Sequence, residues 1–434
     1  MTEFLRFIVL GGALACPFIP LYFYFTGNWY AFFHPYSLGA VFGLFSYVYF
    51  LNTLIIAGRI KFFDRLFGHD RVMVFHSYLA MTAMFSALVH LLLKQFYFQT
   101  EAISVLPGIW GLLIFFTVAA ITMLFMSGPG QNLRFFSALR SFAADRLKID
   151  YNHFKLFHNL VSAAAVLIAL HALAASSTRE KNSRTLILGI WAIAALSIYL
   201  YHKLFKPAFL LKKLVIQSVT MLTDDLLQIR FEKSRDRLID RSGQFGFFRI
   251  LSPVCGREEH PFTVASSPDE PVSLLIKKNG DYTGKLHGLQ PGTEVLFDGP
   301  YGRFFAEKKS GCCLGIAGGA GISPFISFFS ERKNTGFPHP FIFIWCVKRQ
   351  EDLFCLDFLG ELKKKFPNFS FTLFISEQGN RLNYTFLQQF FTKYPPLKTT
   401  VYFCGPQTLR QSVSAWIKTA GLPKKSFYYE KFSL

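Results

Sequence analysis

The chain has 434 residues, a formal net charge of +19 and 53 phenylalanines; its mean hydropathy is +0.30. That length admits a membrane domain followed by two soluble ones, and the charge suits anionic headgroups or an anionic dinucleotide. Both fit better than nucleic acid as a partner, since no basic-aromatic module appears. Cys16, Cys255, Cys312, Cys313, Cys346, Cys355 and Cys404 form no C-x-x-C pair, a pattern that points to reduced thiols in a cytoplasmic compartment rather than a disulfide framework.

Six apolar spans are predicted, over residues 4–25, 35–57, 72–93, 108–126, 154–175 and 185–205. Each has about the twenty residues needed to cross ~30 Å of hydrocarbon. The first is read as a helix rather than a signal peptide, since Glu3 accompanies Arg6 and no A-x-A site follows. Arg59, Lys61, Arg65 and Arg71 fill the second connection, and Arg134, Arg140, Arg146 and Lys148 the fourth. The first connection has no Lys or Arg, and the third has only Lys94 at its edge. The fifth, with Arg179, Lys181 and Arg184, runs against the trend. The balance places both termini in the cytoplasm.

Within these spans lie His76 and His90, fourteen residues apart, and His158 and His171, thirteen apart. An imidazole at membrane depth needs a metal or a hydrogen-bond partner. Two pairs on two parallel spans are what two stacked haems, each with two axial histidines, require. Fourteen residues rise about 21 Å and return to within about 40° of the starting face. Thirteen leave His171 roughly 140° from His158, so that span must wind unevenly or present its ligands from different sides. His153 shares a face with His171 better but lies about 27 Å away along the helix, too far to match the other pair. The plain alternative, packing histidines bonded to neighbours, does not account for the matched depths.

From residue 212 the apolar runs give way to alternating strands and Gly/Pro turns. After Gly243-Gln244-Phe245 come His260-Pro261-Phe262-Thr263, then Lys277, Gly280-Asp281-Tyr282-Thr283 and Asp298-Gly299-Pro300-Tyr301-Gly302. A hydroxyl such as that of Thr263 can bond an isoalloxazine edge, an aromatic can flank the ring, and His260, Lys277 and Thr283 can hold pyrophosphate oxygens. An antiparallel flavin barrel is expected over residues 210–308, between the membrane domain at 1–209 and an α/β domain at 309–434.

In that last domain a strand from Cys312 runs into Gly318-Gly319-Ala320-Gly321-Ile322-Ser323-Pro324-Phe325 and a helix. Glycines there let a dinucleotide approach a helix N-terminus. Further strands alternate with helices, and one ends in Cys404-Gly405-Pro406, at the sheet edge where open α/β sheets bind ligands.

Taken in order, these motifs resemble the ferric reductase and NADPH oxidase superfamily of transmembrane flavocytochromes over nearly the whole chain. The resemblance implies a six-helix transmembrane haem bundle followed by a ferredoxin-reductase-type module. It assigns His76 with His158 to an inner haem b and His90 with His171 to an outer one. FAD would be held by His260, Pro261, Phe262, Thr263, Lys277 and Thr283. The nicotinamide nucleotide would be held by Gly318, Gly319, Gly321, Ser323, Pro324, Cys404, Gly405 and Pro406. Members preferring NADPH often carry Ser-Arg where this chain has Ser376-Glu377. Lys348 and Arg349 pull the other way, and two cations against one anion favour NADPH slightly over NADH. The family often ends on an aromatic covering the flavin; Phe432 is the candidate, with Ser433 and Leu434 beyond it and Glu430 nearby.

The implied function is transfer of electrons from cytosolic NAD(P)H through FAD and two haems to an outer acceptor, with the protein in a bacterial inner membrane. The leading acceptor is O2, giving superoxide, with a ferric chelate as the alternative. Lys94, one turn beyond His90, is the candidate acceptor-side cation, although a lysine snorkelling at the bilayer edge explains it more simply. Two other classes are a membrane electron-donor subunit for a partner protein and a transporter with a histidine proton relay. A complete flavin module argues against the transporter.

Overall fold

A computed structural model describes residues 2–26, 33–97, 102–125, 156–256, 258–305 and 311–430. It divides into two compact units, Met1–Phe209 and Leu210–Ser433. Phe432, His153 and the basic residues of the fourth connection lie outside the described residues.

The first unit is helical: α1 Thr2–Ala15, α2 Phe18–Phe25, α3 Pro35–Ala57, α4 Lys61–Phe67, α5 His69–Tyr97, α6 Ala102–Phe125, α7 Val161–Ala174 and α8 Asn182–Leu200. Five described helical stretches are long and apolar enough to cross a membrane, and a sixth if α1 and α2, bent by 41°, count as one. The expected first span is therefore broken, at Pro17, whose ring removes a backbone donor. Cations from the fifth connection close the carbonyl end of α2. Lys181 Nζ donates to Thr26 O at 2.5 Å and Arg184 to Tyr24 O at 2.6 Å. The Arg184 guanidinium is buried 4.5 Å from the Tyr24 ring centre. Two of the three charges that run against the orientation rule thus clamp a helix end, where cations complement the dipole.

α3 is the central helix. Its most apolar window is 61% buried, against 17–22% for the other four stretches. It packs on α5 and α8, while α6 packs on α7. Ala83, Ala164 and Ala165 are fully buried at the contacts and allow close approach. The outer helices turn Phe7, Tyr78, Phe85, Trp110 and Ile193 outward, the reverse of a water-facing surface.

The winding before α7 reduces the mismatch left by the thirteen-residue spacing. Asn159 N–H donates to Leu156 O, Leu160 N–H to Phe157 O and Ser162 N–H to Asn159 O, all at 3.0–3.1 Å. Regular winding resumes where Ala164 N–H donates to Leu160 O. Three-residue turns advance about 120° per residue rather than 100°, so each one removes roughly 20° of the mismatch.

The second unit opens with strands β1 Lys212–Thr223, β2 Leu226–Phe231, β3 Phe245–Ile250, β4 Glu259–Thr263, β5 Ser273–Lys277 and β6 Glu294–Tyr301. They form an antiparallel sheet in the order β4-β3-β6-β1-β2-β5. A bridge between Val264 and Leu274, with Ala265 N–H donating to Ser273 O at 2.8 Å, draws the two ends together. Phe231, Phe248 and Phe297 fill the interior.

A five-stranded sheet follows: β7 Cys312–Gly318, β8 Phe341–Val347, β9 Phe369–Ile375, β10 Thr399–Cys404 and β11 Phe427–Glu430. All neighbours are parallel, in the order β11-β10-β7-β8-β9. Helices α9 Ser323–Arg332, α10 Leu356–Lys365, α11 Tyr384–Lys393 and α12 Gln407–Thr419 cover the sheet. Strand order reverses between β7 and β10, the switch point at which such sheets leave a crevice.

Candidate functional site

In the helical unit the four histidines meet as two pairs. The His76 and His158 ring centres are 6.4 Å apart, and those of His90 and His171 are 6.1 Å apart. α5 carries one member of each pair and α7, with the turn before it, carries the other. Their packing partners hold the rings. From α3, Thr53 O accepts from His76 Nδ1 at 3.1 Å and Gly39 O from His90 Nδ1 at 2.6 Å. From α6, Thr122 Oγ1 donates to Val118 O at 2.7 Å, so its lone pair accepts from His158 Nδ1 at 3.1 Å.

Glycines give the outer pair room. A Cβ on Gly43 would stand 2.8 Å from His90 Nδ1, and one on Gly108 would stand 2.8 Å from the His171 ring. Nδ1 anchored as a donor leaves Nε2 to act as a ligand, as is usual for metal-bound imidazoles. Among the described residues, no group of three or more His, Cys, Asp or Glu gathers around a metal position. Lys94 Nζ lies 3.6 Å from the centre of the Tyr36 ring, and its stem runs over Gly39.

In the second unit, β4 carries the expected flavin residues. Thr263 is 5% exposed, and its Oγ1 has no hydrogen-bond partner within the protein. A buried hydroxyl left this way costs about 1–3 kcal/mol unless a bound group satisfies it. Phe262 packs at the edge of the barrel core. His260 stacks on Tyr282 with ring centres 3.6 Å apart, and its Nε2 lies 2.9 Å from Glu258 Oε2.

The other expected pyrophosphate ligands are already engaged. Lys277 Nζ pairs with Asp225 at 3.0 Å. Thr283 Oγ1 accepts from Asn279 N–H at 2.8 Å and donates to Gly280 O at 3.3 Å, fastening its own loop. Burial works to raise the Asp225 carboxyl; the hydrogen-bonded Lys277 ammonium, with help from Thr223 and Arg349, outweighs it and holds the group below its ordinary value.

The two nucleotide motifs meet at the switch point. A Cβ on Gly318 would lie 2.6 Å from Pro406 Cδ, one on Gly405 2.9 Å from Gly318 N, and one on Gly321 2.2 Å from Cys404 O. Any side chain at these positions would push the loops apart. Gly319 has φ +56° and open space beside it, so it can face a ligand. Ser323 donates to Ala320 O at 2.8 Å, and Pro324 occupies the first turn of α9. Cys404 is fully buried, and burial followed by the Glu430 carboxylate pushes its thiol well up.

Several contributors leave no signal in the sequence. Trp345 is fully buried and its Nε1–H donates to Gly319 O at 3.1 Å, bracing the glycine loop from β8. Ser242 Oγ donates to Ser327 O at 3.0 Å, and Ser327 Oγ donates to Ser266 O at 2.6 Å. This chain of serines pins α9 to the barrel. β11 is a further element that hydropathy does not reveal, and its Glu430 pairs in register with Cys404. A Cβ on Gly302 would stand 3.1 Å from Glu430 Oε1 and 2.9 Å from Phe245, the strand neighbour of Thr263. The flavin strand, the C-terminal strand and the nucleotide loops therefore converge. Lys348 and Arg349 follow β8, but Lys348 pairs with Glu377 at 3.6 Å and Arg349 with Asp352 at 3.3 Å. Each of the two expected cations thus has an acidic neighbour.

Residues 211–304 match the model of an FAD-binding domain, and residues 316–415 that of an oxidoreductase NAD-binding domain. The reductase component of propane 2-monooxygenase from Gordonia sp. (strain TY-5) is 28% identical over 236 residues, 50% of this chain and 66% of that protein. The electron transfer component of toluate 1,2-dioxygenase from Pseudomonas putida is 30% identical over 174 residues, 38% of this chain and 51% of that protein. The matches to these curated relatives span less than two thirds of their length. The cytochrome b5 reductase domain of Ulva prolifera nitrate reductase aligns with TM-score 0.44 at 15% identity, covering 51% of this chain and 97% of that one.

Proposed function

We propose that this chain, whose second half is a ferredoxin-reductase-type, NAD(P)H-dependent flavoprotein, sends its electrons through two bis-histidine haems in the first half to an acceptor across a membrane. The observation that carries this reading is the pair of histidine stations. A metal with bonds of roughly 2.0 Å to nitrogen, placed linearly between two imidazoles, separates their ring centres by roughly 6.2 Å. The observed separations are 6.4 and 6.1 Å. With two histidines at each station among the described residues, a macrocycle that supplies the remaining coordination would fit better than a bare ion, which supports a b-type haem.

The flavin, when bound, turns a two-electron donor into a source of single electrons. This chain's residues then bind, orient and exclude water. Thr263 offers an unsatisfied hydroxyl on the flavin strand, and Trp345 holds the loop against which the nucleotide would lie. His76, His90, His158 and His171 are the residues that would hold the haems. The five described apolar stretches, six with the bent α1–α2 pair, and their outward aromatic surface support an integral membrane protein, with the second half in the cytoplasm by the charge of its connections.

O2, giving superoxide, is the acceptor proposed first, with a ferric chelate as the alternative; Lys94 beside His90 would stabilise superoxide as it forms or draw in an anionic chelate. A second reading, electron donation to a partner protein, draws support from relatives named as reductase or electron transfer components. The test uses full-length protein reconstituted with FAD and haem and given NADH or NADPH. Oxygen uptake is measured with and without superoxide dismutase, then with a ferric chelate. Flavin bleaching and reduced-haem absorbance bands are expected on adding nucleotide. A chain that binds no haem sinks the proposal. One whose haems become reduced but pass electrons to neither acceptor points to a partner.

A further inference from the structure

In doubly wound nucleotide-binding units, the end of the strand after the glycine loop and its helix meets the adenosine ribose. A carboxylate there takes the 2′-hydroxyl, whereas an unencumbered arginine takes a 2′-phosphate. Here that strand is β8, followed by Lys348 and Arg349, and its neighbour β9 is followed by Glu377. The two ends are joined, since Glu377 N–H donates to Lys348 O at 3.1 Å.

The cations are matched by carboxylates. Lys348 pairs with Glu377 at 3.6 Å. Asp352 is bonded to both the backbone N–H and the guanidinium of Arg349, at 3.0 and 3.3 Å. Asp225, from the β1–β2 turn of the barrel, and Glu351 also act on Arg349. Asp225 is in turn paired with Lys277 at 3.0 Å. Lys277, Lys348 and Arg349 therefore stand against Asp225, Glu351, Asp352 and Glu377, a net charge of −1 among these residues. An incoming 2′-phosphate, with about −1.5 to −2 charge, would have to displace a carboxylate and remain beside it. A ribose hydroxyl needs only to donate to one.

We infer that the donor is the dinucleotide without a 2′-phosphate, NADH, and that Glu377 is the side chain that selects it. This rests on the reading of the chain as a nicotinamide-oxidising flavoprotein. Specificity here is a difference between two nucleotides, so the test reads a ratio. Full-length, FAD-loaded protein is mixed anaerobically with NADH or NADPH, and flavin bleaching is followed. The wild type should use NADH about tenfold or more efficiently, and Glu377→Arg should move the ratio toward NADPH by about tenfold. Asp352→Asn, which frees Arg349, should move it the same way and serves if the first variant fails to fold. A wild type that prefers NADPH, or variants that leave the ratio unchanged, overturns the inference. Bleaching by neither nucleotide overturns the donor reading itself.

Discussion

The two units build their sites by opposite means. In the helical unit each proposed ligand is a histidine side chain repeated at two depths, and its neighbours contribute carbonyl oxygens, one hydroxyl and the space above glycines. In the reductase unit no single element makes a site; the flavin strand, the glycine loop, the C-G-P loop and β11 each bring a fragment to one switch point. Spacing along the chain can encode the first kind of site, because helix rise converts residue number directly into depth. The second kind depends on which side chains meet across strands, and that is invisible to spacing.

The legibility of the sequence divides in the same way. The spans, the strand-rich second half and the glycine and C-G-P loops can be read directly, because hydropathy and turn chemistry are local. The way His158 and His171 each come to meet a histidine of α5 cannot, because Asn159 and Leu160 carry no mark of the tightened turn. Trp345 reads as an ordinary core residue of a strand, and β11 is too short to announce itself. The charges after β8 and β9 are legible as residues but not as pairs, since Lys348 meets Glu377 from the end of the neighbouring strand.

The largest effect should come from removing an outer ligand. His90→Leu or His171→Leu is expected to remove one haem of two and abolish delivery to any external acceptor, while NAD(P)H-dependent dye reduction survives. Pyridine haemochrome stoichiometry reads this directly, and two haems retained in either variant would dissolve the pairing. Gly43→Val and Gly108→Leu should do nearly the same without touching a ligand, because their Cβ positions lie 2.8 Å from the two rings. Glycine variants with full haem content would show that backbone clearance matters less than the helical unit suggests.

Cutting between the units should leave the reductase half working. A fragment beginning at Leu210, where the second unit starts, is expected to bind FAD and reduce an artificial dye. A folded fragment that fails to bind excess FAD counts against the barrel site. Within that fragment, Thr263→Val should act with opposite signs on two readouts. It removes a buried, unsatisfied hydroxyl and so should stabilise the flavin-free form, by about 1 kcal/mol. It should weaken FAD binding by about tenfold, because the partner of the flavin edge is lost. Loss of affinity together with loss of apo stability would mean that the hydroxyl has a structural partner instead.

The smallest effect separates the units by pH. The Glu270 carboxyl, like that of Asp225, is pushed up by burial but brought net below its ordinary value by its partners: Lys333 at 2.6 Å and the Ser267 backbone for Glu270, chiefly Lys277 for Asp225. A carboxyl whose folded value is depressed contributes stability above its unfolded value, near 4. That contribution is lost as the pH falls through the folded value. Both pairs are partly exposed, so each is worth less than about 1 kcal/mol, or roughly a degree or two in melting temperature for a unit of this size. Glu270 ties the barrel to the end of α9, so its protonation should loosen the nucleotide domain before the barrel melts. Thermal melts of the Leu210 fragment between pH 6 and 3, followed by flavin fluorescence and by far-ultraviolet dichroism, test this. Glu270→Gln should remove part of the acid sensitivity and leave the neutral-pH melt slightly lower. An acid profile identical in wild type and variant would mean that the Lys333 pair contributes nothing measurable, leaving the buried serine chain to hold α9 in place.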